Sequence, residues 1–205
     1  MKRFHHIISF IFQPLWMPTI GISIFLLSIG KPVMTNASSW FAIGSTFVFT
    51  ALLPAIPILM FMRRGDIKDL YISKKEQRTF PYMFALLAYS FWTVFLLRVL
   101  QMPLFIVAMA IGATMSIIII TIINFRWKIS AHLSGVGGLA GGVFGYCYVM
   151  GTNPVWLLIL MFVSVALTAL SRLELKAHTP SQTLAGFVLG FLMVFVPGIV
   201  VGIRF

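Results

Sequence analysis

Residues 103–123 read PLFIVAMAIGATMSIIIITII, an apolar run without a charged side chain. About 20 such residues are enough to cross the hydrocarbon core of a bilayer as a helix. Six further apolar runs lie at 7–30, 40–62, 81–101, 133–151, 153–171 and 180–203. None alternates with the period of two that is typical of barrel strands. The sequence therefore predicts an all-α integral membrane protein, a bundle of six or seven transmembrane helices that forms a single domain over 1–205.

The composition excludes several classes of protein. Of the residues, 60% are hydrophobic and only 9% are charged, whereas a soluble domain has about 25% charged residues. Soluble enzymes, nucleic-acid-binding proteins and secreted disulfide scaffolds are thereby excluded, and Cys147, the one cysteine, has no partner for an intramolecular disulfide. The net charge of +11 indicates anionic headgroups or phosphates as partners.

The polar residues are distributed unequally between the two ends of the predicted bundle. If all seven runs cross the membrane, the side that holds the N-terminus also receives the loops 63–80, 124–132 and 172–179. Most of the 15 Lys and Arg residues and all four acidic residues fall there, together with the four histidines, of which His132 stands at the entrance of a span. We call this end the polar face and expect a site for an anion on it.

Three segments of the polar face carry side chains suited to phosphate. Lys75 and Arg78 are one helical turn apart and can face one anion, with Lys74 beside them. Pro180 indicates a helix start, which places His178 at a helix N-terminus, where the positive dipole end favours phosphate and a neutral imidazole. The other candidate residues of these segments are Ser130, His132, Ser171, Arg172 and Gln182.

The three segments resemble the motifs of the type 2 phosphatidic acid phosphatase (PAP2) superfamily. Its third motif, Ser-Arg-x5-His-x3-Asp, is matched by Ser171, Arg172 and His178, with Gln182 in place of the aspartate. Its second motif, Pro-Ser-Gly-His, is similar to ISAH at 129–132, and its first, Lys-x6-Arg-Pro, is loosely similar to KKEQRTFP at 74–81. The resemblance implies a PAP2-like core in the last five helices, within 63–205, preceded by two additional helices within 1–62.

The resemblance also implies an activity, a metal-independent phosphatase that works through a phosphohistidine without a cofactor. His178 would attack phosphorus and His132 would protonate the leaving oxygen. The non-bridging oxygens would be held by Arg172, Arg78, Lys75 or Lys74, and Ser130. Such an enzyme is a phosphoric monoester or diphosphate hydrolase of the bacterial inner membrane, and a homo-oligomer is compatible with the sequence. The implied substrates are phosphatidic acid, phosphatidylglycerophosphate, a polyprenyl pyrophosphate or a lipid A phosphate.

Two questions stay open at the level of sequence. Gln182 cannot supply the negative charge of the aspartate, which leaves as an alternative a weakened relative that binds or transports anionic lipid. A transporter is expected to carry ionisable groups near the bilayer midplane, and the apolar runs have almost none, which favours the enzyme. Orientation is the second question: PAP2 enzymes commonly face the periplasm, whereas the excess of basic residues on the polar face favours the cytoplasm, and we expect the latter.

Overall fold

The computed structural model describes residues 2–27, 34–65 and 77–204, and every regular element in these ranges is a helix. The α-helices are α1 (Lys2–Ile11), α2 (Met17–Leu27), α3 (Asn36–Phe47), α4 (Leu53–Arg63), α5 (Thr79–Arg98), α6 (Leu104–Asn124), α7 (Ala131–Met150), α8 (Val155–Glu174) and α9 (Pro180–Arg204). A 3₁₀ turn, Pro14–Trp16, joins α1 to α2, and a π-helical turn, Val48–Leu52, joins α3 to α4.

Seven helical segments are long and apolar enough to cross a membrane, as in a multi-pass membrane protein. They are Lys2–Leu27, Asn36–Arg63 and the five single helices α5 to α9. The all-helical class and the seven predicted runs are confirmed within the residues that the structure describes. The last part of the first run, 28–30, lies outside them.

Prolines interrupt the first two segments. Gln13 is extended, with ψ 131°, so α1 ends before Pro14 and the chain turns into α2. In the second segment the π-helical turn immediately precedes α4, which contains Pro54 and Pro57. Proline lacks an N–H and crowds the carbonyl four residues earlier, and a wider local turn relieves that crowding. Because of the first interruption, α1 packs against α8 while α2 packs against α3 and α7.

Glycines bring the backbones of α7 and α9 into contact. A Cβ atom added at Gly137 would lie 2.6 Å from the carbonyl oxygen of Phe187, and one added at Gly186 would lie 2.5 Å from that of Ser130. Gly141 is blocked in the same way by the backbone of Phe191. The small residues of α7 thus pack helix against helix, as their spacing predicts. This contact places the first turns of α7 and α9 side by side, which is what builds the site.

Candidate active site

Ser130 begins α7 and ties it to α9. Its hydroxyl oxygen accepts a hydrogen bond from the Leu133 N–H at 3.4 Å, as an N-cap does, and its own N–H donates to the Gln182 carbonyl at 3.3 Å. Ser130 is completely buried, and His132, two residues further, is 5% exposed. A serine hydroxyl that accepts a bond can still donate one. The cap therefore fixes the position of the Ser130 hydroxyl oxygen. Its role in phosphate binding stays a prediction.

The end of α8 reverses the chain and brings His178 next to Arg172. The Ala177 N–H donates to the Arg172 carbonyl at 3.0 Å, and the Lys176 N–H donates to the Leu173 carbonyl at 2.8 Å. Lys176 has φ 51°, so this end is a Schellman motif with a lysine in the left-handed position. The His178 N–H points to the same Arg172 carbonyl, at 3.4 Å. The turn thereby fixes the spacing between the arginine and the histidine.

The first turn of α9 is a capping box that also holds the ring of His178. The Gln182 N–H donates to Thr179 Oγ1 at 3.4 Å, and the Thr179 N–H donates to Gln182 Oε1 at 3.1 Å. His178 Nδ1 lies 3.2 Å from that same Oε1. Since an amide oxygen only accepts hydrogen bonds, Nδ1 must carry the proton. The lone pair of the His178 ring is then on Nε2, the nitrogen that a nucleophilic imidazole needs.

His178 is neutral at physiological pH. Burial lowers its pKa from about 6.5 to about 3, and the nearby positive charges of Arg78, Arg172 and Lys128 act in the same direction. The same two arginines and His178 also interact electrostatically with His132. The structure therefore groups two histidines and at least two arginines at one end of the bundle, although they come from three separate segments of the chain.

The two arginines of the cluster are deeply buried. Arg78 is 3% exposed and Arg172 is 4% exposed. Arg78 Nη1 donates to the Ile129 carbonyl and Arg172 Nη1 donates to Ser9 Oγ, both at 3.3 Å. These acceptors are neutral, and among the described residues the only carboxylate side chain, Glu174, is exposed. A buried cationic cluster of this kind is suited to an anion that accepts bidentate bonds from guanidinium groups.

Helix α1 contributes residues that sequence reasoning missed. Besides accepting a bond from Arg172, Ser9 hydrogen bonds through its backbone to His132, and it is completely buried. His5, to which the sequence assigned no role, places Nδ1 3.3 Å from the hydroxyl oxygen of Ser171. The positive charge of Lys128, which precedes α7, also acts on His178. No motif marks Ser9, because only the break at Pro14 brings α1 onto this site.

Most of the predicted site residues thus lie together at the polar face, namely Arg78, Ser130, His132, Ser171, Arg172, His178 and Gln182. Lys74 and Lys75 lie outside the described residues, so their contact with phosphate stays a prediction. In the described ranges no group of three or more His, Cys, Asp or Glu side chains could hold a metal ion. No family model, curated protein or solved structure matches the chain.

Proposed function

We propose that this protein is a metal-independent phosphatase of the PAP2 type that hydrolyses the phosphate of a lipid in the cell membrane. One observation carries the proposal: His178 is a neutral imidazole whose Nδ1 is tied to Gln182, beside two buried arginines. This is the arrangement that a nitrogen nucleophile for phosphorus requires. Phosphoryl transfer otherwise needs mainly positioning and stabilisation of charge, which arginines supply.

The first half of the reaction forms a phosphohistidine. The lone pair on His178 Nε2 attacks phosphorus, an N–P bond forms, and the P–O bond to the lipid breaks. Protonated His132 gives its proton to the leaving oxygen, so the lipid departs as an alcohol, or as a monophosphate if the substrate is a diphosphate. Arg78 and Arg172 bind the non-bridging oxygens, and their charge offsets the negative charge of the transferring group.

The second half returns the enzyme to its starting state. Neutral His132 accepts a proton from water, whose oxygen attacks phosphorus as the N–P bond breaks. Inorganic phosphate forms, His178 regains its lone pair, and His132 holds the proton until the phosphate leaves. The proton on His132 is favoured while a phosphate anion occupies the cluster, because the anion compensates the positive charge of the arginines.

Gln182 decides how fast such a cycle runs. Through the capping box Gln182 orients the ring of His178 and selects the productive tautomer, as a carboxylate would. Unlike a carboxylate, it does not place a negative charge beside the ring as the imidazole becomes cationic. We therefore propose a working but slower enzyme, with the PAP2-like core in 63–205.

Phosphate release in EDTA tests the proposal. The purified protein in detergent or nanodiscs is given phosphatidic acid, phosphatidylglycerophosphate, undecaprenyl pyrophosphate and a lipid A phosphate. We expect turnover of at least one, lost in His178→Gln and retained in His6→Gln, a matched control because His6 is exposed on α1. Equal turnover by the His178 variant would refute the nucleophile.

A second candidate function follows from the missing carboxylate. A protein that only binds or transports anionic lipid would keep the cationic cluster and dispense with the charge beside His178. It would bind the lipid phosphates of the panel without releasing phosphate from any of them. Binding with no turnover would therefore favour this alternative over the enzyme.

A further inference from the structure

An apolar cavity of about 170 Å³ lies inside the bundle, between α2, α5, α6 and α7. Its wall consists almost entirely of aliphatic and aromatic side chains and of glycines. Among the residues at its deeper part are Phe25 of α2, Trp92 of α5 and Ile106 of α6. Such a lining excludes charged groups and favours hydrocarbon.

One end of the cavity adjoins the candidate active site. Ala131 and Ser134, which line it, flank His132 in the sequence of α7. Tyr82, another lining residue, interacts with Arg78 through a side-chain hydrogen bond. The cavity and the cationic cluster thus share the first turns of α5 and α7. A molecule with an anionic head and an apolar chain is complementary to both at once.

The cavity is deeper than one leaflet of a bilayer. Its lining runs along α6 from Ile106 to Ile120 and along α7 from Ala131 to Gly142. At the helical rise of about 1.5 Å per residue these stretches are about 21 Å and about 16 Å long. The hydrocarbon core of a bilayer is roughly 30 Å thick. A chain that starts at the site would therefore extend at least to the bilayer midplane.

We propose that this cavity holds a hydrocarbon chain of the substrate, so that the lipid is bound by its chain inside the protein and by its phosphate at His178. The inference rests on the proposed function and specifies where the hydrocarbon chain of its lipid substrate lies. The chain leaves the bilayer, and α2, which precedes the PAP2-like core, forms part of its wall. A chain that moves from the bilayer into the cavity passes from one apolar surrounding to another, so it gains no hydrophobic free energy. The enzyme therefore selects among substrates by whether their chains fit the cavity.

Filling the cavity tests the proposal. Ala113→Phe adds a ring to the wall on α6, and Ala166→Phe adds the same ring to an exposed position on α8. We expect the ratio of kcat/KM for hexadecyl phosphate to that for butyl phosphate to fall at least tenfold in Ala113→Phe and to be unchanged in Ala166→Phe. An unchanged ratio in a folded Ala113→Phe protein would overturn the proposal. Should that variant not fold, Gly21→Leu on the opposite wall replaces it, because a Cβ there meets only Leu139 at 3.5 Å.

A binding measurement separates the failure of this proposal from the failure of the phosphatase. Hexadecyl phosphate with a diazirine at the end of its chain is photolysed with the His178→Gln protein in nanodiscs. We expect cross-links on cavity residues such as Trp92 and Met109, reduced by Ala113→Phe and by excess unlabelled hexadecyl phosphate. If these cross-links form but the unmodified protein releases no phosphate, the proposed phosphatase activity is refuted and the binding site for the hydrocarbon chain is retained. Cross-links confined to the outer faces, or displaced equally by hexadecanol, would refute the chain site.

Discussion

Replacing Gln182 by glutamate should place a negative charge beside His178 without altering the geometry of the site. Glutamate has the length of glutamine, so it can accept the hydrogen bonds from the Thr179 N–H and from His178 Nδ1 that Oε1 now accepts. It also keeps the capping box, which uses Glu as readily as Gln. The one intended change is a negative charge 3.2 Å from the imidazole.

The size of the effect follows from the kind of hydrogen bond. A bond to a neutral partner contributes about 1 kcal/mol and one to a charged partner about 2–2.5 kcal/mol, so the carboxylate adds roughly 1–1.5 kcal/mol once the ring is cationic. If formation of the N–P bond limits the rate, kcat rises about tenfold. The same free energy raises the pKa of His178 by about one unit from its value near 3.

The assay is phosphate release from hexadecyl phosphate in EDTA, with two control variants. Gln182→Leu removes the acceptor and should lower kcat, because the ring loses its orientation. Ser181→Glu puts a carboxylate on the same first turn of α9, one residue away, and should leave kcat within about twofold. A fall of kcat in Gln182→Glu, or an equal rise in Ser181→Glu, would contradict the account of Gln182.

Three further predictions concern neighbouring residues. Arg172→Lys should lose about 2 kcal/mol of transition-state stabilisation, measured as kcat/KM, because lysine lacks the planar fork; an unchanged kcat/KM would restrict Arg172 to folding. Unfolded His178 binds a proton below about pH 6.5 and folded His178 only below about pH 3, so stability should fall by about 2 kcal/mol between pH 8 and pH 5. Denaturant unfolding in detergent measures this loss, and an equal loss in His178→Gln would refute it. Lys176→Gly should raise stability by about 1 kcal/mol with kcat unchanged, since the position has φ 51°, and a lower midpoint would contradict the Schellman assignment.

The spans could be predicted from sequence because hydropathy over about 20 residues is a local property. The run at 103–123 becomes α6, Leu104–Asn124, and the short turn at 101–103 becomes the connection between α5 and α6. The close packing of α7 was also readable, since repeated glycines have few other uses inside a membrane helix. The sequence did not predict which helix packs against α7. The glycines of α9 contact α7, but only the tertiary fold shows that these two helices are neighbours.

The chemistry of the site was only partly readable. Arg172 and His178 are joined by the local turn after α8. Because that turn is short, their spacing in the sequence was enough to predict that they lie close together. From the sequence we inferred only that Gln182 cannot supply the negative charge of the aspartate. The structure adds that the capping box ties its Oε1 to the Thr179 N–H and thereby fixes the proton of His178 on Nδ1. Ser9 reaches Arg172 across the bundle, and a lone serine in an amphipathic helix gives no signal of such a contact.

Trapping the phosphorylated protein tests the central claim most directly. The protein is incubated in EDTA with hexadecyl phosphate labelled with ³²P, quenched in alkaline detergent, because phosphohistidine is labile to acid, and digested to locate the label. We expect label on His178 that appears before free phosphate, is absent from His178→Gln and forms more slowly in His132→Asn, which lacks the proton donor for the leaving oxygen. Full phosphate release with no label on the protein, or label that persists in His178→Gln, would contradict it.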